Sequence, residues 1–189
     1  MSSKEKVYII RHASPDWTRD DIPYHLPPGP PLVEQGLEEA RTLGSFLKQA
    51  GVSLLLSSPL ERCQRTAEIA SQEAHASLQI VPELTEVQPG EDYENMRQRL
   101  LPVFERAAEE SRQNGAVALV THGEPTAVLL RALGMSAERL EKQRIFDHGN
   151  PLPPSGAWEA VRYESQPGWN LRIAYLPSSA PSPKEKTHR

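Results

Sequence analysis

Val7-Tyr8-Ile9-Ile10-Arg11-His12-Ala13 is the stretch that decides how this chain reads. Four β-branched or aromatic residues in succession, with no turn former among them, predict a strand buried on both faces, as in a parallel sheet covered by helices. The run then ends abruptly in a cation and an imidazole. In open α/β sheets ligands bind in the crevice beyond the carboxyl ends of the strands, where Arg11 and His12 would sit. Arginine offers a planar fork of donors matched to phosphate or carboxylate, and histidine a nucleophile or proton carrier near neutral pH. Taken alone, an Arg-His pair closing a strand is more often the first polar step into a loop. Recurrence further along gives it weight.

That recurrence is Ala116-Val117-Ala118-Leu119-Val120-Thr121-His122-Gly123, a second apolar run ending in an imidazole. Gly123 lets backbone N–H groups approach an anion closely, and Pro125 can open a helix running to Gly134. Glu124 is an awkward neighbour for an anion and is expected to point away. Between the two runs, Leu37, Ala40, Leu43 and Leu47 predict a helix over 34–50 with Gly51 as its stop. Val52 to Leu56 reads as a strand, and Ser58 with Glu61 reads as a capping box for a helix beginning at Pro59. Arg62 and Arg65 then fall in the first two turns, where the helix dipole disfavours cations unless an anion compensates. A solvated arginine is the plainer explanation if that is the only clue.

Leu78 to Val81 predicts a third strand, and the loop after it carries Glu83 and Glu86. A carboxyl group there is able to protonate a leaving group if the site keeps it protonated, although a loop glutamate is usually just solvated. A helix over 93–112 follows, with Pro102 placed to kink or divide it. Trp158–Tyr163 and Leu171–Tyr175 read as a closing hairpin. The stretch 14–31, with six prolines, predicts neither helix nor central strand. It leaves directly from His12, so it is either a pocket wall offering Trp17, Arg19, Tyr24 and His25 or a proline-stiffened surface excursion.

Composition sets the outer limits. With 189 residues the chain suits one domain, taken as 1–176, and 177–189, rich in Ser, Pro and Lys, reads as a disordered tail. The formal charge is −4, and the tail holds Lys184, Lys186 and Arg189 against Glu185, so the domain itself is more acidic still. Bulk charge therefore argues against nucleic acid as a partner. No stretch approaches a membrane span, and one cysteine makes no internal disulfide, so a cytoplasmic protein is expected. Oligomeric state is not written in the sequence. Cys63 would be followed by continuing helix rather than a thiolate-cradling loop, which argues against a cysteine phosphatase. A zinc site on His122-x-Glu124 would lack the Cys-x-x-Cys that such deaminases use.

Arg11-His12-Ala13, Ser57-Ser58-Pro59-Leu60 with Arg62 and Thr66-Ala67, Leu84-x-Glu86 before Gly90, and Val120-Thr121-His122-Gly123 together resemble the histidine phosphatase superfamily, the phosphoglycerate-mutase-like proteins. The match runs in order from Val7 to Gly134. The resemblance implies an α/β three-layer sandwich with a mostly parallel central sheet flanked by helices. It implies a metal-independent phosphatase without a cofactor, acting on a small-molecule phosphomonoester or a phosphoprotein. His12 matches the nucleophile that becomes phosphohistidine, Arg11 and Arg62 the phosphate clamps, His122 the second histidine, and Glu86 the proton donor. Thr18 and Gly123 are further candidates for phosphate binding. Three departures stand out. Val33 stands where Thr is usual, Ala13 replaces the commoner Gly, a variant also seen in the family, and Ser14, Pro15 and Thr18 replace the usual Glu-Thr and Asn beyond Ala13. Mutase-type phosphoryl transfer, and phospholigand binding without turnover, stay open as alternatives.

Overall fold

Strand β1 (Lys4–Arg11) lies inside a six-stranded sheet, between parallel β4 (Ala116–Thr121) and antiparallel β5 (Ala157–Tyr163). The structure, a computed structural model, describes residues 4–180. Across the sheet the order is β3-β2-β4-β1-β5-β6, with β2 (Val52–Ser57), β3 (Ser77–Ile80), β4 and β1 mutually parallel. β6 (Asn170–Tyr175) pairs antiparallel to β5 as the hairpin. The expected mostly parallel α/β sandwich is what forms.

Because side chains alternate across a strand, β1 feeds two cores. Val7 and Ile9 pack with Leu119, Phe104 and Leu129 beneath α3 (Tyr93–Asn114) and α4 (Gly123–Ala132). Tyr8 and Ile10 pack with Leu43, Leu47, Cys63 and Ala67 beneath α1 (Glu34–Gln49) and α2 (Glu61–Ala74). That two-sided burial is why the strand is apolar throughout rather than alternating. α3 runs unbroken through Pro102, so the anticipated division of this helix does not occur. A short α5 (Ala137–Gln143), capped by Ser136, was not anticipated.

α2 begins two residues later than the sequence suggested. Leu60 is its N-terminal boundary residue, without a side-chain cap, and Ser58 instead faces the strand ends. The disordered-tail expectation falls mostly on 181–189, outside the described residues. Within 177–180, Pro177 is buried and Ser179 Oγ donates to Glu39 Oε1 at 3.0 Å. Among the described residues no helix is long and apolar enough to cross a membrane.

Candidate active site

Parallel register places Arg11 beside Thr121. The residues that follow, His12 and His122, therefore leave the same sheet edge as neighbours, their ring centroids 5.3 Å apart. Both side chains are fully buried. The His12 N–H donates to the Thr121 carbonyl at 3.0 Å, which locks the two strand ends together.

The two imidazoles carry their protons on opposite nitrogens. His12 Nδ1 lies 2.8 Å from the Ala13 carbonyl. A carbonyl only accepts, so Nδ1 holds the hydrogen and Nε2 presents its lone pair. The Ala13 peptide is itself fixed, its N–H donating to Thr66 Oγ1 at 2.9 Å. At His122 the logic inverts: Arg62 Nη2 lies 3.1 Å from Nδ1, and a guanidinium only donates. Nδ1 of His122 is thus the acceptor, and Nε2–H donates to Ser58 Oγ at 2.8 Å. Burial first, then Arg62 and Arg11, holds the pKa of His12 well below the usual imidazole range. His122 is pushed the same way by burial, Arg62 and His12. Burial and Arg62 thus favour the neutral form of His122.

Arg62, in the first turn of α2, joins the site together. Fully buried, it donates from Nη1 to the Tyr24 carbonyl at 2.9 Å, and its Nη2 lies 3.8 Å from Glu86 Oε2. Its guanidinium also lies over the Tyr24 ring, 3.9 Å from the centroid. Gly29, at φ +72°, leaves the room this needs, since a Cβ there would stand 2.8 Å from Arg62 Nη1. Arg11 gives both terminal nitrogens to the Asp147 carboxylate at 2.7 Å and donates to the Leu152 carbonyl at 3.0 Å. The Nε–H groups of Arg11 and Arg62 are buried without a partner. Unpaired buried donors are costly, and a pocket built to receive an anion is a setting that accounts for them.

Glu86 follows a short 3-10 turn, Pro82–Leu84, which Thr121 Oγ1 ties to β4 through the Leu84 carbonyl at 2.7 Å. Its carboxyl is buried, accepts the Val87 N–H at 3.0 Å, and lies 3.6 Å from His122 Nδ1. Burial outweighs the Val87 N–H and Arg62 and raises its pKa. The acid form therefore persists to higher pH than for a solvated glutamate. Glu83 is exposed.

His12, His122, Arg11, Arg62 and Glu86 are brought together, but two other candidates fare differently. Thr18 is exposed and spends its hydroxyl on Asp16 Oδ1 at 2.6 Å, the carboxylate that also accepts its own N–H. This local turn keeps it out of the pocket, so Thr18 is withdrawn as a phosphate ligand. Gly123 opens α4 and lines the pocket, but a Cβ there would stand 1.5 Å from Asn150 Oδ1. The space a glycine leaves is filled by the chain's own asparagine. Glu124 lies at the rim, paired with Arg144 at 3.1 Å.

The 14–31 loop does form a wall. It is pinned at its base by the Pro15–Leu32 bridge and the Val33 N–H to Ser14 carbonyl bond. Trp17, Tyr24 and His25 face Arg144, His148 and Asn150 across a cavity of about 270 Å³ that reaches Arg11 and Glu86. Arg19 pairs with Asp21 at the surface instead. Asp147 was missed because an isolated loop acid, 136 positions from Arg11, carries no local signal. Among the described residues no three His, Cys, Asp or Glu side chains are placed to hold a metal ion.

The fold and these strand ends define an α/β protein with a basic, histidine-bearing pocket at the switch side of its sheet. The chain belongs to the histidine phosphatase superfamily, branch 1, whose model matches residues 7–91 and 85–150. It is 23% identical over 190 residues to the adenosylcobalamin/alpha-ribazole phosphatase of Escherichia coli K12, covering 82% of this chain and 89% of that one. Among solved structures, phosphoglycerate mutase from Bacillus anthracis superposes with a TM-score of 0.72 at 17% identity, over 92% of this chain and 93% of that one. A mycobacterial glucosyl-3-phosphoglycerate phosphatase does so with 0.70 at 17% identity, over 92% and 100%. These structural likenesses concern the fold.

Proposed function

We propose that the protein hydrolyses phosphomonoesters of small molecules through a phosphohistidine on His12. The observation that carries this reading is the placement of the His12 ring, whose Nδ1–H is anchored on Ala13 while the Nε2 lone pair is turned to the pocket, where it meets the Tyr24 hydroxyl at 3.3 Å. In the first step Nε2 forms a bond to phosphorus as the ester P–O bond breaks, and Glu86 delivers its proton to the departing oxygen. The imidazolium so formed keeps its Nδ1–H on the Ala13 carbonyl. In the second step water attacks phosphorus and the Glu86 carboxylate takes its proton. The P–N bond breaks, phosphate leaves, and His12 is neutral again.

Arg11, Arg62 and the His122 side chain supply charge and donors to the equatorial oxygens, the role that positioned cations play in phosphoryl transfer. For Arg11 this requires sharing its fork with Asp147. His122 would contribute a donor by taking up a proton when a dianionic group enters, because that charge opposes the effect of Arg62. The phosphatase among the relatives, matched over most of both chains, supports hydrolysis over transfer. Release of inorganic phosphate from a panel of small phosphomonoesters tests the reading. Wild type should turn over at least one class, and His12→Ala none.

A further inference from the structure

Tyr24 lies where a substrate would have to go. Its hydroxyl is 3.3 Å from His12 Nε2, the atom assigned to attack phosphorus, and its ring covers the Arg62 guanidinium. The outer face of the same ring stacks on Trp17, with centroids 5.1 Å apart and planes 16° from parallel. Trp17 in turn has His148 at 5.4 Å from the opposite wall. Trp17 is half exposed, and with Leu26 on the same loop it is the most exposed large apolar side chain among the described residues. Of these two, Trp17 lines the cavity, beside Tyr24 and His148. The arrangement holds a phenol as a bound aryl group would be held, with oxygen toward the nucleophile and ring between a cation and an indole.

We infer that the mouth of this pocket is a stacking subsite for a planar ring in the leaving group of the substrate, and that Tyr24 is its resident occupant, displaced when substrate binds. The inference rests on the phosphatase reading above. Tyr24 is a replaceable occupant on physical grounds. Its hydroxyl makes one long hydrogen bond to a neutral imidazole, and burial pushes its pKa up to about 12, so it remains an uncharged phenol. A phosphoryl dianion competes for Arg62 and His12 with full charge. The ring of the substrate then regains the Trp17 stack that Tyr24 gives up, so a ring-bearing ester loses less than an aliphatic one of equal size.

The test compares benzyl phosphate with cyclohexylmethyl phosphate, which share a primary alkoxide leaving group and differ in ring planarity. Wild type should favour the benzyl ester about five- to tenfold in kcat/KM, the scale of one aromatic stack, mostly through KM. Trp17→Ala should bring that ratio within about twofold, and Trp17→Phe should keep most of it. Tyr24→Ala should tighten competitive inhibition by inorganic vanadate several-fold, because the occupant is gone. A wild-type ratio near one, a preference that survives Trp17→Ala, or unchanged vanadate inhibition in Tyr24→Ala would each overturn the subsite. In those cases, turnover of both esters would leave the phosphatase reading standing. No turnover of either ester with no phosphoenzyme would overturn that reading, and the subsite with it.

Discussion

His12 and His122 close neighbouring strands at the same level of one sheet, both fully buried and both neutral, yet they present opposite nitrogens to the pocket. A backbone carbonyl takes the proton side of His12; a guanidinium takes the lone-pair side of His122. Two residues that look equivalent in the sequence are made unequal by one acceptor and one donor. In the proposed mechanism, which histidine attacks is set by the partners of the rings, Ala13 against Arg62 and Ser58, and not by the strands that carry them.

The largest effects should come from breaking that inequality. His12→Ala should lower kcat/KM roughly 10⁶-fold, to no detectable turnover, as loss of a nucleophile does. His122→Ala, which removes a stabilising group only, should cost about 10²-fold. Equal losses in a steady-state assay would erase the distinction.

Next comes Glu86, the proposed proton donor in the His12 step. Glu86→Gln should slow an alkyl phosphate about 10²-fold and a nitrophenyl phosphate, whose leaving oxygen needs little protonation, less than tenfold. The pH profile of kcat/KM follows from the two shifts. His12 acts as the free base, so its lowered pKa places the rising limb below pH 6.5. Glu86 acts as the acid, so its raised pKa places the falling limb above pH 4.5. Glu86→Gln should remove the falling limb alone; a falling limb unchanged in that variant would move the acid role elsewhere.

Smaller effects sharpen the comparison. Ser58→Ala leaves the buried Nε2–H of His122 with only the weak acceptor Cys63 Sγ at 3.4 Å, a cost of about 1–3 kcal/mol in stability read by urea midpoint. It should lower kcat/KM about tenfold without moving the phosphorylation site. The smallest expected effect is none: a strong chelator should leave hydrolysis unchanged. Activity lost to the chelator and restored by zinc or magnesium would show that arginines and histidines do not suffice.

Much of this was legible because strand ends in parallel sheets are marked by sharp changes from apolar to polar residues. Val7–His12 and Ala116–His122 carry that mark, and register alone brings their ends together. Arg62 was legible as a cation in the wrong turn of a helix, a local conflict that a binding site resolves. What escaped depended on long-range loop closure. Asp147 reaches Arg11 from the far side of the pocket, Asn150 takes the space over Gly123, and Tyr24, already named as a wall residue, goes further and meets the His12 ring. None of these leaves a periodic or spacing signal. Thr18 misled for a local reason instead, since its hydroxyl and N–H both bond Asp16 two residues before it.

The most direct measurement is the position of the phosphoryl group in enzyme quenched during turnover. Peptide mapping should find it on Nε2 of His12, stable in alkali and labile in acid as a phosphoramidate is. The adduct should be absent from His12→Ala and formed more slowly, at the same place, in His122→Ala. A phosphoryl group on His122, on Nδ1 of His12, or persisting in His12→Ala at the normal rate would contradict the account.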